Sequence, residues 1–80
     1  MNIFITGALG FVGRHLVALL RKEVPEVKLF GLAPWWEVQG GEDLPGVTLL
    51  PGDLTDLPSL LAILRRAQPD YIFHLAAASF

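Results

Sequence analysis

Three glycines near the amino terminus are the residues of this chain best suited to binding a charged ligand. Gly7, Gly10 and Gly13 lie between an apolar stretch, residues 3–6, and a segment whose apolar residues recur at helical spacing. Glycine in a strand-to-helix turn lets the backbone approach a ligand closely, and the amides at the positive end of the helix favour a phosphate there. The spacing G-x-x-G-x-x-G, with a strand before it and a helix after it, predicts a site for a dinucleotide.

The other candidate side chains give weaker signals. His74 lies in an apolar stretch and is expected to be a buried, hydrogen-bonded histidine rather than a catalyst, and His15 is expected on the surface of the first helix. The Trp35-Trp36 pair could cover an adenine base, although an exposed pair or a contact with a partner fits the sequence equally well. Asp53, Asp56 and His74 do not have the spacing of metal ligands, so we expect no metal site.

The elements that would position the glycine turn alternate between strand and helix. Apolar runs bounded by glycine or proline predict strands at residues 3–6, 27–32, 47–50 and 71–75. Helical spacing predicts a helix over residues 11–23 and a second one that begins after a cap at Thr55 or Asp56 and ends at Pro69. Residues 33–46 contain two prolines and a Gly-Gly pair, so they are interpreted as a loop with no more than a short turn.

Each helix is expected to bury one apolar stripe. The stripe of the first helix consists of Val12, Leu16, Leu19 and Leu20. The stripe of the second consists of Leu57, Leu60, Leu61 and Leu64.

This alternation predicts an α/β fold. Helical crossovers between strands imply parallel pairing with right-handed connections. We expect a Rossmann-type parallel sheet with strand order 3-2-1-4 and flanking helices, which is one mononucleotide-binding half of a doubly wound fold plus the strand beyond the switch point. All of residues 1–80 then form one dinucleotide-binding segment.

Composition supports a domain whose elements are covered on both sides. Apolar residues make up 52% of the chain and charged residues 18%, below the usual charged fraction of about 25%. This excess of apolar residues favours the amino-terminal part of a larger body, and the alternative is a small apolar domain that forms a homodimer.

Net charge and cysteine content bear on which partners and which kinds of site to expect. A net charge of −2 gives no reason to expect nucleic acid or an anionic membrane. The absence of cysteine excludes disulfides and thiolate metal sites and fits a cytoplasmic location. No apolar run approaches the roughly 18 residues that span a bilayer, and no signal-peptide pattern precedes the glycine turn.

Three motifs follow one another along the chain: TGALGFVG at residues 6–13, GDLTD at 52–56 and PDYIFHLAA at 69–77. Together they resemble the extended short-chain dehydrogenase/reductase family, which contains the NAD-dependent epimerases, dehydratases and reductases of nucleotide sugars. The motifs occur in the order found in that family and span nearly the whole chain. Residues 10–16 and 30–33 also resemble the branch that acts on GDP-linked hexoses.

The resemblance implies roles for the first two motifs in binding NAD or NADP. The three glycines would turn under the diphosphate, and the backbone amides of Phe11 and Val12 would donate to it. Asp53 would accept a hydrogen bond from the adenine amino group, and Leu54 would lie against the ring. An ordinary strand-helix turn for the glycines, and a simple turn residue for Asp53, are the structural alternatives.

The third motif would contact the nicotinamide half of the cofactor. The resemblance implies that Leu75, Ala76 and Ala77 run beside the nicotinamide ribose. The two alanines could also be small only for packing.

The position that usually separates NAD from NADP carries no charge in this chain. Dinucleotide sites place an acid about twenty residues past the glycine turn, where it binds the ribose 2′-hydroxyl. Leu32-Ala33 occupies that place here, the next carboxylate is Glu37, and no Lys or Arg occurs between Lys28 and Arg65. The two cofactors are therefore poorly distinguished, and only the resemblance to the hexose branch favours NADP or dual use.

The catalytic pair of the resembled family is not found among these residues. That family uses Tyr-x-x-x-Lys beyond the fourth strand, and the only tyrosine here, Tyr71, has Leu75 at the lysine position. We therefore expect the dinucleotide-binding portion of a nucleotide-sugar epimerase, dehydratase or reductase, inactive by itself and without the rest of the catalytic domain. The alternatives are a non-catalytic NAD(P)-binding module or redox sensor acting through a protein partner, and a purely structural dimer.

Overall fold

The computed structural model describes residues 1–41 and 44–75. Within these ranges, strands β1 (Asn2–Thr6), β2 (Lys28–Ala33), β3 (Val47–Pro51) and β4 (Tyr71–His74) alternate with helices α1 (Phe11–Glu23), α2 (Trp35–Gln39) and α3 (Leu57–Ala67). The strands form one sheet in the order β3-β2-β1-β4, and every neighbouring pair is parallel. The predicted α/β fold and strand order are confirmed, and each strand begins and ends within one residue of its predicted bounds.

The sheet has an apolar layer on each face. Successive residues of a strand point to opposite faces, so β1 contributes to both layers. The layer beneath α1 contains Ile3, Ile5, Ala8, Val17, Leu29 and Leu44. The layer beneath α3 contains Phe4, Leu32, Leu50 and Ile63. Burial on both faces explains why β1 is a continuous apolar run rather than an alternating one.

The buried face of α1 differs from the predicted one. Val12 and Leu19 are 60% and 54% exposed, while Gly13 and Val17 are buried. Leu16 and Leu20 pack against the core as predicted. Large apolar side chains alone do not identify the buried face of α1. The stripe that meets the sheet starts at Gly13, and this glycine allows the helix to approach the turn closely.

The same correction applies to α3, whose cap is Asp56. Leu57 and Leu61 are 63% and 41% exposed, and the buried residues are Ile63 and Ala67. Leu60 and Leu64 pack against the core as predicted. Here too the helix meets the sheet through a stripe that includes a small residue.

The segment interpreted as a loop contains a helix. α2 begins directly after Pro34, whose carbonyl oxygen accepts hydrogen bonds from the amides of Glu37 at 3.0 Å and Val38 at 3.3 Å. Pro34 precedes the helix and Gly40 caps its end, so neither interrupts it. None of the helices in the described ranges is long and apolar enough to cross a membrane.

Candidate functional site

The glycine turn joins β1 to α1 through a left-handed residue. Gly7 has φ +73°, a conformation that costs glycine little and L residues more. Its carbonyl oxygen accepts a hydrogen bond from the Gly10 amide at 3.1 Å, which closes the turn. Gly10 then caps the start of α1 without a side chain.

The structural role of Gly13 differs from the roles of Gly7 and Gly10. It is buried in the first turn of α1, and a Cβ there would overlap the Gly7 carbonyl oxygen and lie 2.7 Å from both Cα and O of Ala8. Its missing side chain therefore brings the helix directly onto the turn. This close packing fixes where the start of α1 points.

The start of α1 presents backbone amides without intrahelical acceptors. Arg14 is the first residue of the helix whose amide donates backwards, to Gly10 O at 3.0 Å. The amides of Phe11, Val12 and Gly13 precede that bond, and the helix has no side-chain cap. Three N–H donors and the positive end of a 13-residue helix suit an anion such as a diphosphate.

An open cavity of about 780 Å³ lies at the carboxyl ends of β1, β2 and β3. Parallel strands end at the same edge of a sheet, so the segments that follow them meet there. The cavity volume falls within the roughly 300–1,000 Å³ typical of small-molecule sites. Its walls are formed by Gly7, Leu9, Gly10, Leu32, Ala33, Pro34, Trp35, Trp36, Glu37, Pro51, Gly52, Asp53, Leu54, Asp56 and Ser59.

The predicted site residues fall into three groups in the structure. Those that line the cavity are Gly7, Gly10, Ala33, Asp53 and Leu54. Those at the start of α1 are Phe11 and Val12, both with exposed side chains, and the buried Gly13.

The remaining predicted residues lie at the end of β4. Leu75 is described and follows β4, where its amide donates to the carbonyl and to the hydroxyl oxygen of Thr6, both at 3.1 Å. It is not among the cavity-lining residues. Ala76 and Ala77 lie outside the described residues.

Several lining residues were not predicted from the sequence. Pro51, Gly52 and Ser59 come from the end of β3 and the start of α3, and they reach the cavity because Ala33 pairs with Pro51 across the sheet. The signal that could have found them is the strand order itself, which brings the end of β3 beside the end of β2.

Two tryptophans form one wall of the cavity. Trp35 and Trp36 lie in the first turn of α2 with their rings 5.9 Å apart in an edge-to-face arrangement. They are 59% and 60% exposed, so their faces remain accessible to a flat ligand. Both an adenine contact and an exposed pair remain compatible with this geometry.

Asp53 is held in a tight local turn. Its Oδ1 accepts hydrogen bonds from the amide and from the hydroxyl of Thr55, both at 2.8 Å. These two bonds stabilise the charged form and hold the pKa of the Asp53 carboxyl below its ordinary value, the backbone bond having the larger effect. Both bonds go to Oδ1, so Oδ2 is left to accept a bond from a ligand.

The two histidines are placed apart from the cavity. His74 is hydrogen-bonded as predicted, with its Nδ1 2.7 Å from Thr6 Oγ1, but it is exposed rather than buried. The reason is that β4 lies at the edge of the described sheet and all of its residues are exposed. His15 is on the surface as predicted, with its ring against that of Phe11. No cluster of metal-ligating side chains occurs among residues 1–41 and 44–75.

The arrangement fits a dinucleotide better than a small apolar ligand. The amides of α1 suit a diphosphate, and the cavity beside them is long enough to run from the glycine turn to the start of α3. Apolar and aromatic walls at Leu32, Trp35 and Leu54 suit a flat base.

Comparison with known proteins gives matches along the whole chain. The model of the NAD-dependent epimerase/dehydratase family matches residues 3–80. A GDP-6-deoxy-D-talose 4-dehydrogenase from Aggregatibacter actinomycetemcomitans is 38% identical over 80 residues, which is 100% of this chain and 22% of that protein. A dTDP-glucose 4,6-dehydratase from Streptomyces antibioticus is 32% identical over 96% of this chain and 25% of its own length.

A solved structure agrees with the fold over the same range. The crystal structure of the Bordetella bronchiseptica enzyme WbmH in complex with NAD+ superposes with a TM-score of 0.73 and 28% identity. The alignment covers 99% of this chain and 27% of that one. The chain thus spans about a quarter of the length of the proteins it matches.

Proposed function

The chain belongs to the NAD-dependent epimerase/dehydratase family, and on that premise we propose that its cavity binds the adenosine diphosphate half of NAD or NADP. The observation that carries the proposal is the uncapped start of α1 beside Gly10, where three backbone amides lack intrahelical acceptors. A diphosphate placed there satisfies these donors and lies at the positive end of the helix.

The roles of single residues follow from their positions around this diphosphate. Phe11 and Val12 donate their amides to it, Gly7 and Gly10 keep side chains out of its way, and Gly13 lets α1 approach the turn. Ala33, at the end of β2, lies beside the adenosine ribose. Asp53 accepts from the adenine amino group through Oδ2, and Leu54 packs against the base.

The nicotinamide half would extend toward the end of β4. Leu75, Ala76 and Ala77 are proposed to lie beside the nicotinamide ribose. Support for this part comes from the pairing of β4 with β1, which brings the end of β4 next to the glycine turn.

We further propose that the protein acts on a nucleotide-linked sugar. Both curated relatives described above are named for such substrates. The cofactor would supply hydride acceptance and donation at the sugar. These 80 residues contain the dinucleotide site but no Tyr-x-x-x-Lys pair, so by themselves they bind without catalysing. We also propose a cytoplasmic location, which the absence of cysteine supports, and assembly as a homodimer.

Intrinsic fluorescence tests the binding proposal directly. Both tryptophans of the chain line the cavity, so NADH bound there should quench their emission by energy transfer to the reduced nicotinamide. Gly10→Val is expected to abolish saturable quenching, because a branched side chain would project where the diphosphate meets the backbone. Ala18→Val places the same side chain at an exposed position of α1 outside the cavity and should leave quenching intact.

Gly10→Val must lose cofactor binding without losing its fold. Circular dichroism of Gly10→Val should show the helix and strand content of the parent chain. Saturable quenching that persists in folded Gly10→Val would contradict the proposed site. Quenching absent from the parent chain would contradict dinucleotide binding itself and favour a structural role.

A further inference from the structure

We propose that Glu37 binds the adenosine ribose hydroxyls of the dinucleotide and makes the site prefer NAD to NADP. The inference rests on the proposed dinucleotide site and adds a specificity residue to it. Glu37 lies in the first turn of α2, four residues past the end of β2, and is half-buried in the wall of the cavity.

The usual place for a residue that binds the ribose carries no polar side chain in this chain. Leu32 and Ala33 end β2, and both are buried and apolar. Ribose hydroxyls in that part of the cavity therefore need a polar partner from the segment that follows β2. Glu37 is the polar side chain that this segment contributes to the lining.

The other polar side chains of the cavity wall belong to segments farther from the glycine turn. Asp53, Asp56 and Ser59 all follow β3, which is one strand farther from the glycine turn than β2. Asp53 also has Oδ1 occupied by Thr55. No hydrogen bond or ion pair joins the Glu37 carboxylate to another residue in the described part of the chain, so both of its oxygens can accept from a ligand.

The charged side chains that line the cavity are all acidic. Three carboxylates line the cavity, at Glu37, Asp53 and Asp56, and the described lining contains no Lys, Arg or His. Arg14, the cation nearest in sequence to the glycine turn, directs its Nε to the carbonyl oxygen of Leu9 at 2.9 Å and is not part of the lining. A 2′-phosphate would thus enter an acidic environment, whereas a 2′-hydroxyl would find an acceptor.

The expected preference follows from the charge on the extra phosphate. A group with a charge near −2 about 4 Å from one carboxylate in water changes a binding constant by roughly ten- to thirtyfold. The parent chain should therefore bind NADH at least about tenfold more tightly than NADPH, because Glu37 contributes that repulsion.

Two substitutions separate charge from hydrogen bonding. Glu37→Gln removes the charge and keeps the side-chain length, so the NADH-to-NADPH affinity ratio should fall about tenfold, mainly through tighter NADPH binding. Glu37→Ala also removes the acceptor, so it should weaken NADH as well. Asp56→Asn is the matched control, because it removes one carboxylate from the same cavity and keeps a good helix cap.

Tryptophan quenching measures the affinities of the parent chain and of the three variants for NADH and for NADPH. Circular dichroism verifies that each protein is folded. A ratio that falls in Glu37→Gln and changes less in Asp56→Asn supports the assignment. A ratio that stays within twofold in Glu37→Gln, or an equal change in Asp56→Asn, overturns it while leaving the dinucleotide site standing. Failure of the parent chain to bind either cofactor overturns both the site and the role of Glu37.

Discussion

Replacing Gly13 by alanine is expected to destabilise the fold, even though alanine is the better helix former. Gly13 is buried in the first turn of α1, where the helix rests on the glycine turn. A Cβ there would meet the Gly7 carbonyl oxygen and two backbone atoms of Ala8, the latter at 2.7 Å. These atoms belong to the backbone and cannot rotate away, so α1 must shift.

Two opposing contributions determine how much Gly13→Ala changes the free energy of unfolding. Alanine gains about 1 kcal/mol over glycine from helix propensity. Overpacking costs about 1–3 kcal/mol, and contact with backbone favours the upper end. The net loss in free energy of unfolding should be about 2 kcal/mol. For a chain of 80 residues this lowers the melting temperature by about 12 °C.

The assay is thermal and urea unfolding, followed by circular dichroism and by tryptophan fluorescence. Ala18→Gly makes the reverse exchange at an exposed position of the same helix and should cost about 1 kcal/mol through propensity alone. Both substitutions are therefore expected to destabilise. If packing at Gly13 were unimportant, the two would have opposite signs.

An unchanged or higher melting temperature for Gly13→Ala would refute this reasoning. It would mean that the first turn of α1 does not press on the glycine turn as the structure describes. Packing at Gly13 would then not determine how the start of α1 is oriented toward the cavity.

Three further substitutions test the site and its surroundings. Ala33→Arg should raise affinity for NADPH relative to NADH in the quenching assay, and an unchanged ratio in a variant that circular dichroism shows to be folded would reject the ribose position. Thr55→Val should raise the pKa of Asp53 toward 3.8 in an NMR titration, because one donor is lost; no change would contradict the turn. Since the Asp53 pKa is lowered by folding, its stabilisation is present above pH 3.8 and lost as the pH falls through the folded pKa. Thr6→Val should cost about 1–2 kcal/mol in urea unfolding, because the buried hydroxyl loses its bonds to His74 Nδ1 and to the Leu75 amide, and no loss would contradict these bonds.

The sequence was sufficient to predict the sheet because each strand is a short apolar run bounded by glycine or proline. It was insufficient for the helix faces. Val12 and Leu61 have the residue type of a core but are exposed, because the stripes that meet the sheet also contain Gly13 and Ala67. Choosing between neighbouring stripes depends on how closely the backbone packs, which periodicity does not encode.

The site was predictable to the extent that it depends on local chain geometry. The glycine turn follows from glycine spacing within one strand-helix unit. Pro51 and Ser59 were missed because their place in the wall depends on the register between β2 and β3. α2 is not predictable from composition alone, because Pro34 and Gly40 are residues that disfavour a helix and yet lie just outside this one.

Amide chemical shifts test the central claim most directly. In a ¹H–¹⁵N spectrum of the chain titrated with ADP and with NAD, the amides of Phe11, Val12 and Gly13 should show the largest saturable shifts, accompanied by the Trp35 and Trp36 indoles. Both ligands carry the diphosphate, so the same amides should respond to each. Saturable shifts confined to α3 or β4, with the start of α1 unmoved, would contradict binding of a diphosphate at the glycine turn.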